Sequence, residues 1–350
     1  MSKYLSSKLT VLYTVLIVMV VYIHSYYSEA EEYPIVLFVQ NLIGPGICRI
    51  ANCLFFCISG YLFARNINSI KDVLNKQKKR FKTLVLPYVL WNLIFVLWYV
   101  VLENIPIIND FCNSSGTLEK YLNQPFIKSL SDLFIAPAAF QLWFVRDLLV
   151  VLLISPIIWW ISRKYWIIAL IMALATVAIY PWMIYFWLGI IVAVQKWDVE
   201  NYPHSLCGSI ISGTVFLGYA VYLALGYKGS NLVEVPINLI GIYLIWCSYD
   251  LIVNGKCIAN RGLWKYVCGY SFFIYCFHEP TFNIIKKLAL YIGGTNELVL
   301  ILAYLINPLI MVAVSICVAK ILQRISPWTY KLGTVVKRIK LYNELIANVI

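Results

Sequence analysis

The chain has 350 residues, 62% of them hydrophobic and only 13% charged, with a mean hydropathy of +0.80. Ordinary soluble domains carry about 25% charged residues, so a water-soluble enzyme is excluded. The net charge of +12 has no soluble domain to present it, so it reads as a membrane signal and argues against a nucleic-acid partner.

Ten apolar segments follow one another in chain order, at roughly 9–25, 47–64, 84–102, 140–161, 165–180, 182–195, 207–226, 234–253, 266–283 and 298–319. A helix of about 20 residues crosses a hydrocarbon core of about 30 Å. The runs are continuously apolar rather than alternating, which favours helices over barrel strands. The expected fold class is all-α: a polytopic integral membrane protein with about ten transmembrane helices over residues 1–325. A basic amphipathic cytoplasmic tail over 326–350 would then lie on the inner leaflet.

Individual segments carry finer expectations. The first run is too long for a signal-peptide core and lacks a small-residue cleavage site, so it is expected to stay as a span. Ser59 and Gly60 offer small residues for close helix approach in the second. Pro87 is expected to kink the third and free backbone carbonyls. The longest polar stretch, Glu103 to Pro137, includes an amphipathic patch around 118–133 that would cap the outer mouth or be disordered. The region from Trp166 to Val194 reads either as two short helices hinged at Tyr180-Pro181 or as one long kinked helix.

Charge placement orients the chain. With ten spans, 21 of the 28 Lys and Arg residues fall on the side that carries both termini. The excess marks that side as cytoplasmic and brings it against anionic lipid headgroups. The first loop of the other side, Ser28 to Glu32, is acidic. Most of the ten cysteines lie inside spans. Cys53 and Cys57 share a helix face without a His/Cys partner set, so they read as small hydrophobes; no metal and no disulfide is expected.

Ionisable groups at membrane depth are candidates for function. His24 ends the first segment, and His278, followed by Glu279, lies near the outward end of the ninth. Arg146 and Asp147 stand at the outward start of the fourth. Such a set can activate a hydroxyl: an imidazole takes the proton, a carboxylate orients it, and a guanidinium stabilises developing negative charge. Plainer roles remain open. His278 fits a hydrogen bond to a neighbouring helix, and Arg146 with Asp147 fits an interfacial anchor. Tyr26, Tyr27, Trp143 and Tyr275 suit an aromatic belt or stacking on sugar rings.

Five blocks carry a family resemblance. They are VVYIHS at Val20–Ser25, LFFCISGYL at Leu54–Leu62, KRFKTLVLPYVLW at Lys79–Trp91, LWFVR at Leu142–Arg146 and SFFIYCFHEP at Ser271–Pro280. In their order, and across nearly the whole chain, they resemble acyltransferase family 3, the bacterial membrane O-acyltransferases that modify surface glycans. The resemblance implies transfer of an acyl group, first of all acetyl, from cytoplasmic acyl-CoA as co-substrate to a hydroxyl of a lipid-linked sugar or exported polysaccharide. Partners implied are that glycan acceptor, membrane lipids and proteins of polysaccharide biosynthesis, in the bacterial cytoplasmic membrane.

The family's first-helix histidine maps onto His24, as general base or transient acyl carrier. Its basic entry to the third helix maps onto Lys79, Arg80 and Lys82, which would meet the CoA phosphates or serve topology alone. The family also places an Arg eleven residues before the histidine, close to three helical turns and so on the same face. Here that position is Tyr13, and Lys8 lies five residues further down the helix. A phenol supplies no fixed cation, so Arg146 or another cation would serve instead, the donor would be held differently, or the chain has changed function, with polysaccharide export as the alternative.

Overall fold

The computed structural model describes residues 1–105, 109, 123–202 and 205–334. Helices form every regular element among them: α1 (Lys3–Ile23), α2 (Pro34–Asn41), α3 (Ile50–Ala64), α4 (Ile70–Asn104), α5 (Phe126–Ile135), α6 (Trp143–Lys164), α7 (Trp166–Ala175), α8 (Met183–Val194), α9 (Leu206–Ala224), α10 (Asn231–Val253), α11 (Gly262–Gly293), α12 (Glu297–Ile325) and α13 (Pro327–Gly333). A π-helical stretch, Leu42–Cys48, joins α2 to α3.

Side-chain oxygens mark several helix starts. Ser2 accepts from the Leu5 amide, Ser205 from Gly208, and Asn296 from Val299, each taking up a backbone donor that lacks a helical partner. At the start of α4, Ser69 Oγ accepts from the Asp72 amide and Asp72 Oδ2 from the Ser69 amide, a reciprocal capping box. Asn254 ends α10 in the left-handed region, at φ 47°.

The fold is that of a multi-pass, all-α membrane protein. Among the described residues, seven helical stretches are long and apolar enough to cross a membrane: α1, Pro34–Ala64, α4, Phe140–Lys164, α9, α10 and α12. Two shorter apolar stretches cover Trp166–Ala178 and Met183–Val194, and α11 covers the ninth expected segment. The region after Trp166 is thus two short helices, parted around Pro181. Helical backbone continues through Pro87 in α4. The break comes at another proline. In α11, Glu279 adopts φ −90°, ψ 150°, because the ring of the following Pro280 disfavours helical geometry at the residue before it.

The chain forms two compact units: residues 1–79 with 151–271, and residues 80–150 with 272–350. In the first, α3 and α8 approach backbone to backbone. A Cβ on Gly60 would stand 2.0 Å from the Phe186 carbonyl oxygen, and one on Gly189 2.1 Å from that of Cys57. The small residue expected at Gly60 is therefore half of a glycine pair across two helices. Beside it, Val11 and Leu12 of α1 pack with Tyr249, Val253, Ala259 and Cys268.

Aromatic rings organise the second unit. Trp91 of α4 meets Phe95 at 5.9 Å and Phe273 of α11 at 5.5 Å, and Phe273 meets Tyr330 of α13 at 5.8 Å. Trp91 Nε1 donates to the Gly333 carbonyl at 2.8 Å. The start of the tail is thus packed into this unit. Residues 335–350, where most of the basic amphipathic tail was expected, lie outside the described residues, as do Cys112 and residues 118–122 of the expected amphipathic patch, the rest of which runs into α5.

Candidate functional site

The break in α11 is the most organised polar feature of the second unit. Pro280 has no amide hydrogen, so the carbonyl of Cys276, four residues earlier, loses its helical donor. Gln141, just before α6, replaces it: Nε2 donates to the Cys276 carbonyl at 2.5 Å and to that of Glu279 at 3.0 Å. Tyr275 returns the contact by donating its hydroxyl to the Gln141 carbonyl at 2.6 Å. Gln141 is 1% exposed, so the bridge is made where water cannot compete.

This bridge frames His278, which is fully buried. Its Nδ1 lies 2.8 Å from the Tyr275 carbonyl and 3.1 Å from that of Ile274. Carbonyl oxygens only accept, so the neutral ring carries its hydrogen on Nδ1 and its lone pair on Nε2. A fixed neutral imidazole of that tautomer is a proton acceptor at one defined atom. Thr281 donates to the carbonyls of Phe277 and His278, at 2.6 and 3.1 Å, on the far side of the break.

Arg146 is held differently. Its Nε donates to Asp147 Oδ1 at 2.7 Å and its Nη1 to the Ile135 carbonyl, with the side chain one-third exposed. The guanidinium ties the start of α6 to the end of α5, the geometry of the interfacial anchor.

His24 belongs to the first unit. It caps α1, half-buried, with its amide on the Val20 carbonyl at 3.3 Å. The chain beyond it is fixed by Gln40 of α2, 1% exposed, whose Oε1 accepts from the Tyr27 amide at 2.7 Å. Ser25 Oγ donates to the Tyr22 carbonyl at 2.8 Å. Tyr13 sets its ring edge against Phe55 at 4.7 Å. The buried cation of α1 is Lys8, 2% exposed, which pairs with Asp250 Oδ2 at 2.6 Å and stands 3.7 Å above the Trp246 ring. Tyr4 donates to the other Asp250 oxygen at 2.5 Å. Arg49 and Glu234 make a second pair, at 2.5 Å.

Of the α4 cations, Lys79 and Lys82 are exposed and Arg80 is half-buried. The boundary between the units follows Lys79. Among the described residues no group of three or more His, Cys, Asp or Glu has the placement to hold a metal. Sequence reasoning passed over Gln40, Gln141 and Asp250. Each was nonetheless marked as a polar residue within or beside an apolar run, where a hydrogen-bond partner is obligatory.

Comparison with known proteins follows the geometry. The family model for an acyltransferase domain, acyltransferase family 3, matches residues 8–322. The chain is similar to the succinoglycan biosynthesis protein ExoH of Rhizobium meliloti: 23% identical over 354 residues, covering 93% of this chain and 91% of that protein. No solved structure matches.

Proposed function

Because the chain belongs to acyltransferase family 3, we propose that it moves an acyl group, in the first instance acetyl, from cytoplasmic acyl-CoA to a hydroxyl of a cell-surface or lipid-linked glycan. The family match across residues 8–322 carries the acyl-transfer reading. Similarity over nearly the full length to a succinoglycan biosynthesis protein supports the polysaccharide acceptor, and with it proteins of polysaccharide biosynthesis as partners.

His24 is the general base in this reading. Its ring removes the acceptor proton as the hydroxyl oxygen attacks the thioester carbonyl. The tetrahedral oxyanion collapses, the carbon–sulfur bond breaks, and the thiolate takes a proton to leave as free CoA, with the glycan as an ester. Proton transfer of this kind is worth about 10²–10⁴ in rate. His278, with its lone pair on Nε2, and the neighbouring Glu279 form a second proton-transfer pair, and Arg146 balances negative charge. Lys79, Arg80 and Lys82 attract the donor phosphates.

The test is base-labile acetate, measured by NMR on surface polysaccharide from intact cells, gene-deleted cells, and deleted cells carrying His24→Ala. Loss of the signal in both altered strains, at normal polymer yield and normal membrane insertion of the variant, is the expected result. Unchanged acylation in the His24→Ala strain removes His24 from the mechanism. A second reading, polysaccharide export, is favoured by Tyr13 packed on Phe55 where the family commonly has a cation. It predicts polymer retained inside deleted cells with normal acyl content.

A further inference from the structure

A cavity of about 690 Å³ opens in the first unit, lined by the C-terminal ends of α3, α6 and α8 and the turns that follow. Its volume lies in the range of about 300–1,000 Å³ typical of small-molecule sites. Arg65, Arg163 and Lys196 line it, together with the indole of Trp197, which is 52% exposed. Among the described residues none of the three cations is paired with a carboxylate. The carboxylates of the adjoining turn are engaged elsewhere. Asp198 accepts from the Asn201 and Glu200 amides, which hold its carboxyl below the usual range, and Glu200 accepts from the Ser2 amide.

Cations at helix C-termini complement the helix dipole. That explains the charge but not the concavity. Asn66 and Lys196, both in the wall, adopt left-handed φ values of 59° and 54°. Each is the left-handed residue that ends a helix, and at α8 the Trp197 amide closes the last turn by donating to the Val192 carbonyl at 3.1 Å. Arg163 Nη1 donates to the Asn68 carbonyl and so fixes the turn in which Asn66 sits.

A second, apolar cavity of about 260 Å³ adjoins the first and shares Tyr61 and Val192 with it. Leu54, Ile58 and Leu239 line it, and it ends against Trp246, the ring beneath Lys8. A cationic chamber beside an uncharged slot that shares two of its wall residues matches a ligand with a polyanionic head and a neutral arm.

We propose that the chamber binds the phosphorylated nucleotide head of the acyl donor, and that the slot takes its thioester arm. The assignment rests on the acyl-transfer reading above and adds to it the seat of the donor. Arg65, Arg163 and Lys196 meet the phosphates, Trp197 stacks on the base, and the α4 cations serve encounter rather than seating.

Isothermal titration on the full chain in zwitterionic nanodiscs tests this, with CoA and adenosine 3′,5′-bisphosphate as probes. Both bind the wild type. Arg65→Gln and Lys196→Gln each weaken both probes by about tenfold or more, and Lys196→Arg restores them. Lys228→Gln, the same loss of charge in the exposed turn between α9 and α10, leaves both unchanged. Leu239→Trp in the slot weakens CoA while the bisphosphate binds as before, a split that misfolding does not produce. Wild-type binding with undiminished affinity in the Arg65 and Lys196 variants overturns the chamber assignment and leaves acyl transfer standing. Undiminished binding together with loss of co-purifying phosphatidylglycerol assigns the chamber to a lipid headgroup and likewise overturns it. A wild type that binds neither probe overturns the acyl-CoA reading as well.

Discussion

Asp250 is an acidic group in the second half of α10, placed where its side chain is nearly shielded from solvent, and it survives there because Lys8 and Tyr4 both reach it. Burying two charges costs several kcal/mol each, and their attraction recovers this only with tight geometry. The 2.6 Å contact and the additional hydroxyl provide that geometry. Removing one partner strands the other. Lys8→Met is expected to destabilise the protein by about 3–5 kcal/mol, seen as a marked fall in the thermal midpoint in detergent. The double variant Lys8→Met, Asp250→Leu is expected to regain most of the loss, since an apolar pair leaves no unpaired charge. An unchanged midpoint in the single variant sinks the account. The pair was not legible in the chain as read. Lys8 stood out only as a cation too far from position 13, and Asp250 lies 242 residues away, a separation that hydropathy patterning does not bridge. His278 is the opposite case. Its depth in an apolar run marked it, and the Ile274 and Tyr275 carbonyls facing Nδ1 then explain why its neutral ring has one fixed tautomer.

Helix pairing in the first unit turns on two glycines. With Gly60 facing the Phe186 carbonyl and Gly189 facing that of Cys57, the α3 and α8 backbones lie closer than any side chain permits. Membrane helices gain little from the hydrophobic effect against one another, so close packing carries their association. Gly189→Ala adds a methyl that the opposing backbone has no room for. It is expected to destabilise by about 1–3 kcal/mol or more, and the combined Gly60→Ala, Gly189→Ala variant to lose folded yield in detergent. Gly218→Ala in α9, where an added Cβ meets nothing within 4 Å, is the control expected to behave as wild type. If Gly189→Ala matches that control, the close approach is not what holds α3 to α8. Element by element, the apolar runs were legible because period and length are local properties. Ser59-Gly60 was legible as a small-residue site, but its partner in α8 was not, because Gly189 sits in an ordinary apolar run. A kink was expected at Pro87, where α4 stays helical, while the break at Glu279-Pro280 was not anticipated. A proline's sequence position does not disclose which one has a replacement donor, and here Gln141 provides it from across the second unit.

At the scale of the whole chain, orientation decides whether donor chemistry is possible at all. Acyl-CoA is a cytoplasmic metabolite in the proposed reaction, so Arg65, Arg163 and Lys196 must face that side. The distribution of basic residues, 21 of 28 on one side of a ten-span arrangement, is what leads to that expectation by the positive-inside rule. The same arrangement puts the acidic Ser28–Glu32 turn and the 226–230 turn outside. Reporter fusions check each turn separately. Alkaline phosphatase joined after Glu31 or Gly229 is expected to be active, and green fluorescent protein joined after Asn68, Asp198 or Lys256 to fluoresce. In that arrangement His24, one residue beyond the end of α1, would lie towards the outer face with the proposed glycan acceptor, and the chamber at the C-terminal ends of α3 and α8 would face the proposed donor. In the proposed donor seat, the slot lined by Leu54 and Trp246 would take the thioester arm. Active phosphatase after Asn68 together with silent phosphatase after Glu31 would invert the protein, place the cationic chamber where no acyl-CoA exists, and bring down the donor seat and the direction of transfer together.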